Sequence, residues 1–171
     1  MTTIAVTGAT GHIGQQLVPL LLAEGMRVRA IGRDASRLQP LADVGAEPWI
    51  GTVDSARSMA EAFRGADAAF AMIPPDYGHP DPAARAKAVA EALAAGAQVA
   101  RVRHVVTLSS IGAHLPSGVG PVNGLRGLEA RFNQVPGLNV LHLRPSYFME
   151  NLLNAIGVIE SMHTNGGALK A

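Results

Sequence analysis

The stretch Thr2–Leu22, TTIAVTGATGHIGQQLVPLLL, decides the fold. Its apolar run Ile4-Ala5-Val6 reads as a buried parallel strand. Three glycines follow, Gly8, Gly11 and Gly14, and then an apolar helical stripe. Strand, glycine turn and helix in this order form the dinucleotide-binding fingerprint, and each glycine has a physical task. Gly8 lets the chain turn sharply off the strand. Gly11 leaves no Cβ between the backbone and a pyrophosphate, and Gly14 lets the helix approach the strand. The helix N-terminus adds free N–H groups and a partial positive charge. A glycine-rich turn without a ligand is the competing reading. The flanking strand and helix favour nucleotide binding.

Composition bounds the rest. A chain of 171 residues suits one domain with a genuine core. With 48% hydrophobic and 16% charged residues, the interior must be apolar on both faces of a sheet. A net charge of +1 offers no electrostatic footprint for nucleic acid. Cysteine is absent, which removes disulfides, thiolate metal sites and a cysteine nucleophile. No metal site is expected. No apolar run is long enough to span a bilayer, and the N-terminus lacks signal-peptide character, so a cytoplasmic location away from the membrane is the default.

Working outward, Leu17, Val18, Leu20, Leu21 and Leu22 give the first helix a broad apolar face, with Pro19 expected in its early turns and Gly25 as its left-handed cap. Arg27–Gly32 reads as the second strand. In this architecture its end meets the adenosine ribose, where a carboxylate suits a 2′-OH and an arginine a 2′-phosphate. Arg33 comes first after the strand, and guanidinium matches phosphate bidentately, which points to NADP(H). Asp34 either caps the next helix or takes the ribose, and Arg37 reads as a solvated helix charge.

A helix over Ser36–Val44 and a strand over Glu47–Ile50 follow. Asp54-Ser55 reads as the cap of a helix over Ala56–Arg64, with Met59, Ala60 and Phe63 facing inward. Asp54 also lies near the expected adenine, and Trp49 reads as packing. Ala68–Ile73 forms an apolar fourth strand, stopped by Pro74-Pro75. Tyr77 and His79 sit in a Pro-rich surface loop. Asp81 and Pro82 start a long helix over Ala83–Ala100. His104–Leu108 is a fifth strand ending in Ser109-Ser110. A helix over Leu125–Gln134, a strand over Leu138–Leu143 and a helix over Leu152–Met162 complete the pattern. The whole is an α/β doubly wound parallel sheet, a Rossmann fold of strand order 3-2-1-4-5-6.

TGATGHIG at Thr7–Gly14, IGRD at Ile31–Asp34, IPPDY at Ile73–Tyr77, LSSIGAH at Leu108–His114 and LRPSYFMENLL at Leu143–Leu153 together resemble the NmrA-like group of atypical short-chain dehydrogenase/reductases. The resemblance covers essentially the whole chain and is far more specific than the glycines alone. It implies NAD(P)(H) binding, with NADP(H) preferred and NAD(H) still accommodated. It also implies that Gly8, Thr10, Gly11, His12, Ile13 and Gly14 line the pyrophosphate and that Arg33 meets the 2′-phosphate. Ile73, Pro74 and Ser109 would lie along the ribose and nicotinamide. The group includes inactive redox sensors and reductases of quinones or other carbonyl compounds.

The chain departs from the active members twice. Active short-chain dehydrogenases carry Tyr-x-x-x-Lys on the helix after the fifth strand, where the lysine lowers the tyrosine pKa for proton transfer. With Glu129 as the alignment point, these positions are Pro121 and Leu125, and neighbouring Asn123 and Arg126 do not replace them. Tyr147, His114 or a water is left as proton source, and packing beside the Arg144-Pro145 turn is the favoured reading of Tyr147. No catalytic residue is assigned. Relatives also continue for roughly another hundred residues, so 1–171 reads as one domain truncated before a substrate-covering region that starts at about residue 150. Three functions follow as expectations: an NADPH-dependent oxidoreductase acting on a small carbonyl or quinone, a non-catalytic sensor working through a protein partner, or a truncated product with neither role. A homo-oligomer is a further expectation, since a missing seventh strand would leave apolar surface open.

Overall fold

The computed structural model describes residues 1–156 except Tyr77, 117–119 and Pro121. Tyr77, Pro121 and the expected helical residues 157–162 therefore lie outside the described residues. The elements run β1 (Thr3–Val6), α1 (His12–Ala23), β2 (Arg27–Gly32), α2 (Ala35–Asp43), β3 (Glu47–Ile50), α3 (Ala56–Phe63), β4 (Ala68–Ala71), α4 (Pro82–Ala100), β5 (His104–Leu108), α5 (Val122–Asn133) and β6 (Asn139–Leu143), with a 3₁₀ segment at Met149–Ala155. All strands are parallel and lie in the order β3-β2-β1-β4-β5-β6, as expected. No helix among the described residues is long and apolar enough to cross a membrane.

Strand alternation sorts the core into two layers. Ala5, Ala69 and Val105 face the layer built with Met59, Phe63, Leu93, Leu128 and Phe132 of α3, α4 and α5. Val6, Phe70 and Val28 face the layer built with Val18 and Leu38 of α1 and α2. The order reverses between β1 and β4, so their carboxyl ends open a crevice at the switch point. Parallel register puts the residues after Val6, Ala71 and Leu108 on three neighbouring strand ends.

Several local expectations need correction. α1 begins at His12, so Pro19 sits in its interior, on an exposed face. The carbonyl it leaves unbonded, that of Gln15, belongs to an exposed residue and can be hydrated. Ser55, not Asp54, caps α3 by accepting from the Ser58 amide at 3.2 Å. Ala62 rather than Ala60 completes the buried face of α3. α2 ends at Asp43 and α3 at Phe63, each a residue early. β4 stops at Ala71 because the Met72 amide turns to the Thr7 hydroxyl at 3.0 Å instead of to the ladder. α5 starts three residues before the expected Leu125. A 3₁₀ segment over Met149–Ala155 overlaps the start of the expected Leu152 helix. β6 is an edge of the sheet, and Leu141 and Leu143, beside Val106 and Leu108, are 57% and 43% exposed.

The tightest helix contact is α3 against α4 at Gly96, where a Cβ would lie 2.5 Å from Met59 Cβ and 2.8 Å from Met59 C. Gly96→Ala gains about 1 kcal/mol of helix propensity. The methyl cannot be housed without separating the helices, an overpacking cost of about 1–3 kcal/mol. The variant should have a lower midpoint in urea. A midpoint at or above wild type would mean that the contact is slack.

Candidate functional site

The crevice begins at Thr7, which is fully buried. Its hydroxyl donates to the Phe70 carbonyl at 3.1 Å and accepts from the Met72 amide at 3.0 Å. Its own amide donates to the Phe70 carbonyl at 3.0 Å. The ends of β1 and β4 are thereby locked together beneath the turn. Gly8 then takes φ +65°, which glycine adopts without strain, and a Cβ there would also displace the Met72 side chain, whose Sδ would lie 2.5 Å away. Gly14 is buried, and a Cβ on it would stand 2.5 Å from Ala9 Cα. Only a glycine lets α1 start this close to the turn.

Gly11 is different. A Cβ there would meet Gly8 O alone, at 3.3 Å, with open space beyond. It occupies the N-cap of α1 and supplies no side-chain cap. The amides of His12, Ile13 and Gly14 find no acceptor among the described residues. Three free donors beside the open space at Gly11, at the positive end of a helix, have the chemistry to hold an anion. His12 is exposed, while Ile13 packs against the α1–α2 layer. The Thr10 side chain lies against Gly32, and its carbonyl accepts from Gln15 Nε2 and from the Arg37 guanidinium, each at 3.2 Å.

At the end of β2, Asp34 caps α2. Its carboxylate accepts from the Ser36 amide at 2.8 Å, the Ser36 hydroxyl at 2.7 Å and the Arg37 amide at 3.4 Å. These bonds, the Ser36 hydroxyl first, hold its pKa below the ordinary aspartate value. Asp34 thus caps α2 through one carboxylate oxygen, Oδ1. Arg33 is exposed beside it, and its guanidinium has no partner among the described residues. Arg37 is also exposed, but it reaches back to the glycine turn instead of standing free in solvent. Two guanidinium groups therefore flank this strand end.

Past β4, Ile73 and Pro74 are half-buried. The loop that follows is held by Arg85 of α4, whose Nε donates to Asp76 at 2.8 Å and whose other arm lies 3.9 Å from Asp54. His79 is occupied within its own loop by the Asp81 backbone, and Asp81 caps α4. Asp54 takes the Thr52 hydroxyl and is exposed. Trp49 packs, with Arg29 5.9 Å over its ring.

The ends of β5 and β6 hold a cluster that motif reading missed. Ser109 is 3% exposed, and its hydroxyl donates to Glu129 Oε1 at 2.5 Å. Arg144 takes both oxygens of the same carboxylate, Nε at 2.8 Å and an NH2 group at 2.6 Å. Arg144 first, and Ser109 in support, hold the Glu129 pKa below the usual carboxylate value against the opposing effect of burial. Nearby, burial pushes His142 below the usual histidine value, with its ring bonded to Thr107 at 2.7 Å and Asn133 at 3.1 Å. His114 is exposed, and Tyr147 is 57% exposed, so the packing expected for Tyr147 is not found. A glutamate on the apolar face of α5, between Leu128 and Phe132, was the signal in the sequence.

A family model described as NAD(P)H-binding matches residues 8–151. The chain belongs to the NAD(P)H-binding family. The NmrA-like resemblance is borne out at that level. The chain is 30% identical over 152 residues to an NAD(P)H azoreductase of Xenophilus azovorans, covering 88% of this chain and 50% of that one. Among solved structures, a Citrobacter triphenylmethane reductase complexed with NADP(H) superposes with a TM-score of 0.78 at 23% identity, over 94% of this chain and 55% of that one. An NADPH-dependent quinone oxidoreductase of Escherichia coli complexed with NADPH gives 0.77 at 23% identity, over 92% and 54%. At that identity the likeness concerns the fold. The chain spans about half the length of the curated relatives that it matches over most of its own length.

Because the folded pKa of Glu129 is depressed, its stabilisation is complete above the ordinary glutamate value of 4.5 and is lost as pH falls through the folded value. Thermal midpoints of wild type and Glu129→Gln should therefore differ at neutral pH and converge in acid. A gap independent of pH would show that the carboxylate is not ionised in the fold.

Proposed function

We propose that this chain holds NADP(H) across the crevice and serves the reduction of a quinone or a comparable conjugated acceptor. The observation that carries the binding half is the Gly11 cradle, with its three free amides aimed where a pyrophosphate would lie. Gly8, Thr10, Gly11, His12, Ile13 and Gly14 would line that group. Arg33 would meet the 2′-phosphate, and Arg37, already braced on the Thr10 carbonyl, would stand beside it. Arg33 and Arg37 give this strand end two guanidinium groups beside the single carboxylate of Asp34, which favours the phosphorylated cofactor over NAD(H). Ile73 and Pro74 would lie along the ribose, and the Ser109-Ser110 turn beside the nicotinamide.

When bound, the reduced nicotinamide supplies a hydride. The residues of this chain then decide which acceptor is served. Leu125 packs against the core and offers no ammonium at its Tyr-x-x-x-Lys position, and Pro121 has no phenol. A ketone reduced there would leave an alkoxide needing a positioned acid. A quinone takes the hydride to give a phenolate, a far weaker base that water protonates. The missing pair therefore favours the quinone over a simple ketone. The names of the azoreductase, dye-reductase and quinone-oxidoreductase relatives also support conjugated acceptors.

Ligand-dependent thermal unfolding tests the binding half. Excess NADPH at about a hundred times its dissociation constant should stabilise by about 2.7 kcal/mol. Gly11→Val should abolish that shift by filling the cradle. Arg33→Ala should weaken NADPH by at least about tenfold, equivalent to one charge-assisted contact, and leave NADH nearly unchanged. Equal loss for both cofactors would remove Arg33 from the 2′-phosphate. The catalytic half is tested by following NADPH absorbance with a panel of quinones and azo dyes. Oxidation that depends on the acceptor is expected, and binding without any turnover would overturn the oxidoreductase reading.

A further inference from the structure

Glu129 is a buried carboxylate that no part of the cofactor reading uses. It is 5% exposed on the inward face of α5, and every strong donor around it comes from another element. Ser109 arrives from the end of β5 and Arg144 from the end of β6. One carboxylate therefore ties a helix to two strand ends. The backbone pairing is carried past both strands at the same place, with the Ser109 amide on the Leu143 carbonyl at 2.7 Å and the Ile111 amide on the Pro145 carbonyl at 2.9 Å. A bidentate guanidinium with a hydroxyl on a buried carboxylate is a stiff arrangement, because each partner fixes direction as well as distance.

The arrangement also controls charge. Glu129 and Arg144 neutralise one another at the carboxyl ends of β5 and β6. Among the described residues, the other titratable group facing the pair is His142, held by Thr107 and Asn133. Resting on the reading that the nicotinamide lies beside the Ser109-Ser110 turn, we infer that Glu129 is a positioning residue which fixes this turn through Ser109 and, with Arg144, keeps the reacting end of the site electrically neutral. Nicotinamide is cationic when oxidised and uncharged when reduced. A balanced pair beneath it does not pull the cofactor toward either form, whereas a single charge left behind would.

Two variants unbalance the pair in opposite senses. Glu129→Gln leaves the guanidinium uncompensated and should disfavour the oxidised form. Arg144→Gln leaves the carboxylate uncompensated and should favour it. The measurement is the dissociation constant of NADP⁺ divided by that of NADPH, from calorimetric titration of apo protein. The ratio should rise by about threefold or more in Glu129→Gln and fall by a similar factor in Arg144→Gln, as expected for one unit charge acting at moderate range in a partly buried site. A merely structural role would weaken both forms together, so an unchanged ratio, or a shift of one sign in both variants, would overturn the inference. Should Glu129→Gln not fold, Arg144→Gln decides alone by the sign of its shift, since its side chain is 40% exposed at the end of β6 and not part of the buried core. If wild type binds neither form, the cofactor reading itself fails, and that result is distinct from equal binding in all three proteins.

Discussion

The whole structure depends on how closely α1 approaches β1. One methyl at Gly14 would sit inside the backbone of Ala9, and one at Gly8 would strike Met72. With these two glycines, the helix starts directly above the strand end, and the Thr7 hydroxyl can pin β1 to β4 from below. The crevice is a consequence of that contact. Its floor is two locked strand ends, and its wall is a helix terminus whose first amides have no acceptor among the described residues.

A second constraint acts at the far end of the same row of strands. Ser109, Glu129 and Arg144 join β5, α5 and β6 through one carboxylate, and the backbone stays paired beyond the strands at the same place. Here the protein secures geometry with buried charge, where the glycine turn secures it with the absence of side chains. The two ends also differ electrically. The glycine end is donor-rich and flanked by Arg33 and Arg37, while the other end is a neutralised pair. That polarity suits a ligand with its phosphates at one end and an uncharged or singly charged ring at the other.

Much of this was legible in the sequence. β2, β3 and β5 fall where short β-branched or aromatic stretches between turn residues place them, although β3 at the sheet edge is largely exposed. The strand order followed from the alternation of strand and helix with the glycine turn at β1. What stayed hidden were partnerships between residues distant in sequence. Thr7 and Met72 are 65 positions apart, and Ser109 and Glu129 are 20 apart. Periodicity assigns a residue to a face of its element, but it does not say which side chain from another element will meet it. Arg37 escaped for the same reason, since its partner Thr10 lies 27 positions away. Glu129 gave one hint, a carboxylate on a face that otherwise packs inward.

The central claim is that a dinucleotide rests on the N-terminus of α1. The most direct measurement is the change in backbone amide chemical shifts on titration with NADPH. The account predicts that His12, Ile13 and Gly14 shift first and furthest, with Arg33 and Arg37 following. Shifts concentrated elsewhere, for instance around Met26 and Gly45 at the amino end of the sheet, would contradict it.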